Sequence, residues 1–256
     1  MKRLAAITIL SSALFLTGCV QMHMDTIIEK DGSGTFTINY AMSQEVAEAI
    51  QELQNMDMPN QSGMDEAPTL DDFKKEEIEK SCKDHDVKLK KFDRTTVEGK
   101  EKLEMVMEFE NIDDLSDALA STIEEQGSLK IFKTPDGNYN LRTVEVKAKS
   151  EEEEDIAETE DSFESSGQEA EEYDPEKMGK SMEIMGKLMS SISELDVAMR
   201  ITVPSEIISH NAQRVEGKTL IWEINSTNIM SGEVGNMEPD IVFSGEGVKI
   251  KAPLQE

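Results

Sequence analysis

The first eighteen residues constrain this chain more than any later stretch, because they decide where a fold can begin and in which compartment it must hold together. Lys2 and Arg3 give a short positive start, and residues 4–16 form an apolar run broken only by small hydroxyl residues. A run of that length is too short for a permanent bilayer span and reads as a secretion signal that is removed. The folding unit then begins near Cys19, outside the cytoplasm.

The run ends in Leu16-Thr17-Gly18-Cys19. That ending resembles the lipobox of bacterial lipoproteins. The resemblance implies a diacylglycerol joined to the Cys19 sulfur, cleavage just before Cys19, and acyl chains that hold the product on a membrane. The alternative is an ordinary thiol in a secreted or membrane-anchored protein. The expected location is the cell membrane or an outer membrane, lipid-anchored and facing away from the cytoplasm. Val20 follows the cysteine where an Asp would stand under enteric retention rules, which disfavours inner-membrane retention in a cell with two membranes.

Removing residues 1–18 with Lys2 and Arg3 takes the net charge from −28 to −30 and leaves 238 residues. Phosphate neutralisation needs an excess of Lys and Arg, so nucleic acid is excluded as a partner. Anionic headgroups repel such a surface, so the expected membrane attachment is through the lipid. Only Cys82 remains as a free thiol, so no internal disulfide can form and burial must stabilise the fold. Cys82 lies in a helical pattern with Phe73 and Ile78 and reads as a buried structural thiol. A nucleophilic role would need His85 as its base.

The patterning alternates hairpins with helices. Residues 24–40 read as a β-hairpin around Asp31-Gly32-Ser33-Gly34, whose glycines supply positive φ. Ser43 reads as the N-cap of a helix to about Met56, with Val46, Ala47, Ile50 and Leu53 on one face. Residues 57–68 read as a loop, and residues 70–83 as a second helix. Residues 87–92 and 103–109 read as strands, the second with Leu103, Met105, Met107 and Phe109 on one face. Asn111 or Asp113 caps a helix over Leu115, Ala118, Leu119 and Ile123, ended by Gly127. Residues 129–132 and 139–146 pair around Pro135-Asp136-Gly137-Asn138.

Residues 151–173 hold twelve acidic residues and no basic one. Such a block cannot bury enough apolar surface to order itself and reads as a solvated spacer. Weak calcium binding by its carboxylates is the alternative, without the glycine-centred spacing of a built site. Residues 175–194 read as a helix with Met178, Met182, Met185, Met189 and Ile192 on one stripe. The stripe reads first as a flexible packing face; copper(I) held with Met22-His23-Met24, or a lining for a lipid chain, are the other readings. Residues 197–203 and 219–224 read as strands, the latter with Trp222 at its middle, and Val242 and Val248-Lys249-Ile250-Lys251 suggest one or two more.

Three stretches together resemble the LppM-like bacterial lipoproteins. They are the turn at Asp31-Gly32-Ser33-Gly34 with a helix from Ser43; residues 88–109 followed by Asn111-Ile112-Asp113-Asp114-Leu115; and a tail with Pro204, Asn211, Gly217 and Trp222. The resemblance implies a surface lipoprotein with an α+β domain akin to lipid-handling folds, and a lipid or glycolipid ligand. Read from the residues alone, Pro204, Asn211, Gly217 and Trp222 suit a strand end, two turns and a packed strand.

No motif for zinc, a nucleophile elbow or a phosphate loop occurs, and His23, His85 and His210 sit in unlike contexts. No enzyme, cofactor or metal is expected. The expected fold class is α+β, a mostly antiparallel sheet built from hairpins with helices on one side. Its parts are a signal at 1–18, an α+β domain from 19–148, an acidic insert at 149–175, and a Met-rich helix plus β-rich segment at 176–256 completing the same domain. The candidate ligand or partner surface is Met178, Met182, Met185, Met189 and Trp222. The competing role is docking of a protein partner through helix 176–194.

Overall fold

A computed structural model describes residues 19–54, 70, 73–120, 127–144, 175–231 and 237–254. The expected loop at 57–68 and the acidic run at 151–173 lie outside the described residues, and so does any calcium site on that run. Eleven strands and five helices are described, in two sheets, with the helices on one side.

The larger sheet grows from two hairpins. β1 (Val20–Ile28) and β2 (Gly34–Ser43) pair antiparallel across the Asp31-Gly32-Ser33 turn, where Gly32 has φ +95° and Glu29 N–H donates to the Ser33 carbonyl at 2.7 Å. β3 (Lys88–Val97) and β4 (Lys100–Phe109) pair across Glu98-Gly99, both with positive φ, a turn the residue pattern did not single out. β4 joins β2 antiparallel. On the other edge, β7 (Leu195–Thr202) lies parallel to β1, and β10 (Thr219–Asn225) and β9 (Arg214–Glu216) follow antiparallel. The order is β3-β4-β2-β1-β7-β10-β9.

Period-two patterning gives this sheet two unlike faces. Leu103, Met105 and Met107 stand opposite Tyr40, Ile38 and Phe36, and that row continues across Met22, Met24 and Thr26. All but Met24 are buried. The reverse face carries ion pairs such as Lys91–Glu104 at 2.7 Å and Arg200–Asp25 at 3.6 Å.

The smaller sheet is antiparallel throughout, in the order β5-β6-β11-β8: β5 (Ser128–Lys133), β6 (Tyr139–Val144), β11 (Asp240–Phe243) and β8 (Ile207–His210). Its Ile131, Leu141, Ile241 and Phe243 are at most 3 % exposed and share one core with the apolar face of the larger sheet. Tyr139 stacks on Phe243 with centroids 5.6 Å apart. In both sheets a block of strands from before the acidic run is joined to a block from after it, at β1–β7 in the larger sheet and at β6–β11 in the smaller.

Two helices join this core. α2 (Lys75–Asp84) contributes Ile78 and Cys82, and α3 (Ile112–Ala120) contributes Ile112, Leu115 and Ala118. The Ser81 hydroxyl donates to the Ala118 carbonyl at 2.8 Å, tying the two together. Asn111 is the cap of α3, since its side-chain oxygen accepts from Asp113 N–H at 3.1 Å. α2 starts later than the residue pattern suggested, with Leu70 and Phe73 buried ahead of it. The remaining helices are α1 (Gln44–Gln54), α4 (Pro175–Ile192) and the unforeseen one-turn α5 (Ser226–Ser231).

Val248-Lys249-Ile250-Lys251 is not a strand. It is an extended tail with Ile250 at 9 % exposure, held by Lys249 N–H to the Lys30 carbonyl at 2.6 Å and by Tyr139 Oη to the Ile250 carbonyl at 3.0 Å. Alternation in that segment reflects one-sided burial without a ladder partner.

Candidate functional site

Cys19 is the first described residue, and β1 starts at the next one. The strand registers gather four segments around it. Val20 stands opposite Met42 in β2 and Leu195 in β7. Ser43 N–H donates to the Cys19 carbonyl at 2.8 Å, and Gln44 N–H donates to the Gly99 carbonyl at 3.0 Å, which brings in the β3–β4 turn. Ser43 also caps α1, its hydroxyl accepting from Val46 N–H at 3.4 Å, as its position before an apolar-periodic run foretold.

The Cys19 thiol donates to Glu194 Oε2 at 3.1 Å. Burial first, and then the hydrogen bond and charge of Glu194, push its pKa above the ordinary thiol value, against smaller opposing effects of the Ser191 and Ser43 hydroxyls. The free thiol therefore stays protonated at neutral pH. A thioether at that sulfur has no proton to donate, so the Glu194 contact belongs to the unmodified side chain. Sequence reading did not find Glu194, because nothing in a helix-to-strand junction 175 residues away signals it.

Beside Cys19, α1 and α4 enclose a groove of about 330 Å³. Ser191 lines it and also touches the Cys19 sulfur. Its walls carry Glu45, Glu48, Glu52, Lys187 and Ser190, with Val46, Ala49 and Leu188 the apolar part. Such a lining can hydrogen-bond a hydroxyl-rich or cationic group. An acyl chain there would strip water from carboxylates without compensation.

The methionine stripe is not the packing face of α4. Met182 and Met189 are 63 % and 61 % exposed, Met185 is half-buried, and the side chains of Met178 and Ile192 lie outside the described part. Ile184, at 1 % exposure, packs on Ala49 together with Leu188. A helix turns about 100° per residue, so Ile184 stands nearly opposite Met182. The helix holds two apolar stripes, and the one turned to α1 carries the buried Ile184 and the partly buried Leu188.

Trp222 is not a ligand platform. It is fully buried in β10 opposite Met199, its indole N–H without a partner. Asn211 pins the start of β11 through its bonds to Glu238 and Asp240, and Gly217 makes the β9–β10 turn at φ +65°. Met22-His23-Met24 cannot close on one ion, because Met22 and Met24 face the core while His23 points to the other face and meets Asp196 at 3.0 Å. Among the described residues no group of three or more His, Cys, Asp or Glu side chains is placed to hold a metal ion. Cys82 is buried at 2 % exposure, as expected of a structural thiol, and burial pushes its pKa up. No helix among the described residues is long and apolar enough to cross a membrane.

No protein-family model matches the chain, and no curated protein matches it. Among solved structures, the folded domain of Mycobacterium tuberculosis LppM, determined by NMR, is similar over 91 % of this chain and 94 % of that one, at 12 % identity and a TM-score of 0.38. That likeness is too distant to transfer a residue or a role.

Proposed function

We propose that this chain is a non-catalytic, lipid-anchored envelope protein. In this reading diacylglycerol on Cys19 holds the α+β body directly against the outer side of a membrane, where the body binds the polar head of a lipid or glycolipid. The observation that carries the reading is the position of Cys19. The motif residues Leu16, Thr17 and Gly18 precede it, and β1 begins immediately after it, so cleavage there removes none of the described strands. An acylated sulfur at that point leaves no spacer between the bilayer and the sheet. The groove between α1 and α4 supports the ligand class, since it adjoins the anchor and its lining is polar.

Mass analysis of the natural product tests the anchor. The N-terminal peptide is expected to begin at residue 19 and to carry acyl mass; a peptide that retains the first eighteen residues, or has no acyl group, refutes it. Native mass spectrometry of the lipidated protein tests the ligand. Bound glycolipid is expected, and it should be lost in Ser190→Trp, which fills the groove from an exposed position. A protein that stays empty across a panel of envelope lipids removes the ligand claim and leaves the anchor standing.

A further inference from the structure

The registers put several chain segments at one end of the larger sheet. Cys19 precedes Val20, which stands opposite Met42 and Leu195; Val97 stands opposite Lys100, and Lys100 opposite Ser43; Asn225 stands opposite Asp196. α5 is folded onto the same end, because the Asn225 side chain accepts from Thr227 N–H at 3.0 Å and Asn228 N–H at 3.2 Å, and Asn228 donates back to the Glu223 carbonyl at 2.7 Å. α4 runs into it through Ser191 and Glu194, which contact the Cys19 sulfur. The large apolar side chains these segments leave in solvent are Val97 at 47 %, Met189 at 61 % and Met230 at 85 % exposure, with Met182 about two turns back along α4.

We infer that this end of the sheet is a membrane-contacting rim, with Met189, Met230 and Val97 seated in the headgroup layer of the leaflet that holds the Cys19 acyl chains. The inference rests on the anchor proposed above. A glycerol thioether sits at headgroup depth, and with β1 starting at Val20 the body has no tether on which to stand off. Whatever is exposed around Cys19 must then meet lipid. Methionine suits that boundary, being flexible and apolar without a fixed shape. The acidic body is repelled by anionic headgroups, so uncharged side chains make the contact. α4, with Lys177, Lys180 and Lys187 against Glu176 and Glu183, is the one described helix whose lysines outnumber its acids. A protein occupant on the Met189 face would have to share its place with the bilayer.

The test uses the lipidated full chain in phosphatidylcholine vesicles, with a polarity-sensitive fluorophore on one engineered thiol at a time: Met189→Cys, Met230→Cys, and Ile208→Cys as a reference on the smaller sheet. All three positions are exposed, so the fold is not at stake, and Cys82 is buried beyond labelling. Labels at 189 and 230 are expected to shift to the blue and to be quenched by spin-labelled lipid several-fold more than the label at 208. Equal, water-like labels on protein that floats with the vesicles would overturn the rim and leave the anchor intact. Protein that fails to float would overturn the anchor and the rim with it. Shielding of the 189 label only after a soluble envelope protein is added would assign that face to a protein partner and overturn the rim.

Discussion

The two ends of the larger sheet are built on opposite plans. At the hairpin end, a Cβ on Gly34 would clash with the Phe109 ring and with the Ile27 carbonyl. Gly32 sits against Ile250, and the tail that carries Ile250 is bonded to Lys30 and Tyr139. The smaller sheet and α3 pack behind it, with Leu115 and Leu141 essentially inaccessible. At the Cys19 end, by contrast, methionine side chains stand in water and the α1–α4 contact buries little beyond Ala49 and Ile184. One end is closed by its own chain apart from Ile27, at 45 % exposure. The other is finished with apolar groups that no described residue covers. Apolar burial drives folding at the first and is left available at the second.

The largest expected effect tests the closed end. Gly34→Ala forces the β1–β2 hairpin away from Phe109 and should lower unfolding stability by about 3 kcal/mol in urea titration; an unchanged midpoint would mean that this end is looser than described. Tyr139→Phe removes one buried hydrogen bond to the C-terminal tail and should lower stability by about 1 kcal/mol. Hydrogen–deuterium exchange on the same variant should show the tail around Lys249 exchanging its amide protons faster.

A smaller effect comes from Asp113 on α3. Burial raises its folded-state pKa, with Asp117 and Asp114 adding and Lys130 opposing. Its contribution is therefore complete below the unfolded carboxylate pKa and is lost as pH rises through the higher folded value. Asp113→Asn should flatten the stability profile across that window and add about 0.5 kcal/mol at neutral pH, a figure kept small because water screens a part-buried group. A steeper profile in the variant would reverse the assignment.

Least of all, Met189→Gln and Met230→Gln should leave unfolding stability within about 0.5 kcal/mol, as expected for surface positions. A loss of 2 kcal/mol or so at either would mean that the Cys19 end is packed, and would erase the contrast between the ends.

Local chemistry was readable where a residue type has one local use. Asp31-Gly32-Ser33-Gly34 and Pro135-Asp136-Gly137-Asn138 form the turns they foretold, Ser43 and Asn111 cap the helices they precede, and the alternation from Leu103 to Phe109 marks the buried face of β4. β3 runs beyond the expected 87–92 to Val97, because its second half, Asp93 to Val97, lies on an edge strand with little to bury and shows no apolar period. On α4 the sequence pattern does not choose the packing side, because Met and Ile/Leu both recur at helical spacing. Burial of Ile184 depends on Ala49 in another helix.

The candidate site divides along the same line. The sequence alone singled out Cys19, because a processing signal is read from a short stretch of unfolded chain. It also determined the α+β class, the hairpins and their buried faces, since those follow from residue period and turn chemistry a few positions apart. Only the tertiary structure decided that β1 lies parallel to β7, with His23 facing Asp196 across 173 residues, that Trp222 is sealed away, and that Met189 and Met230 are left exposed. Those outcomes depend on which surfaces cover one another, and no residue carries that information in its near neighbours.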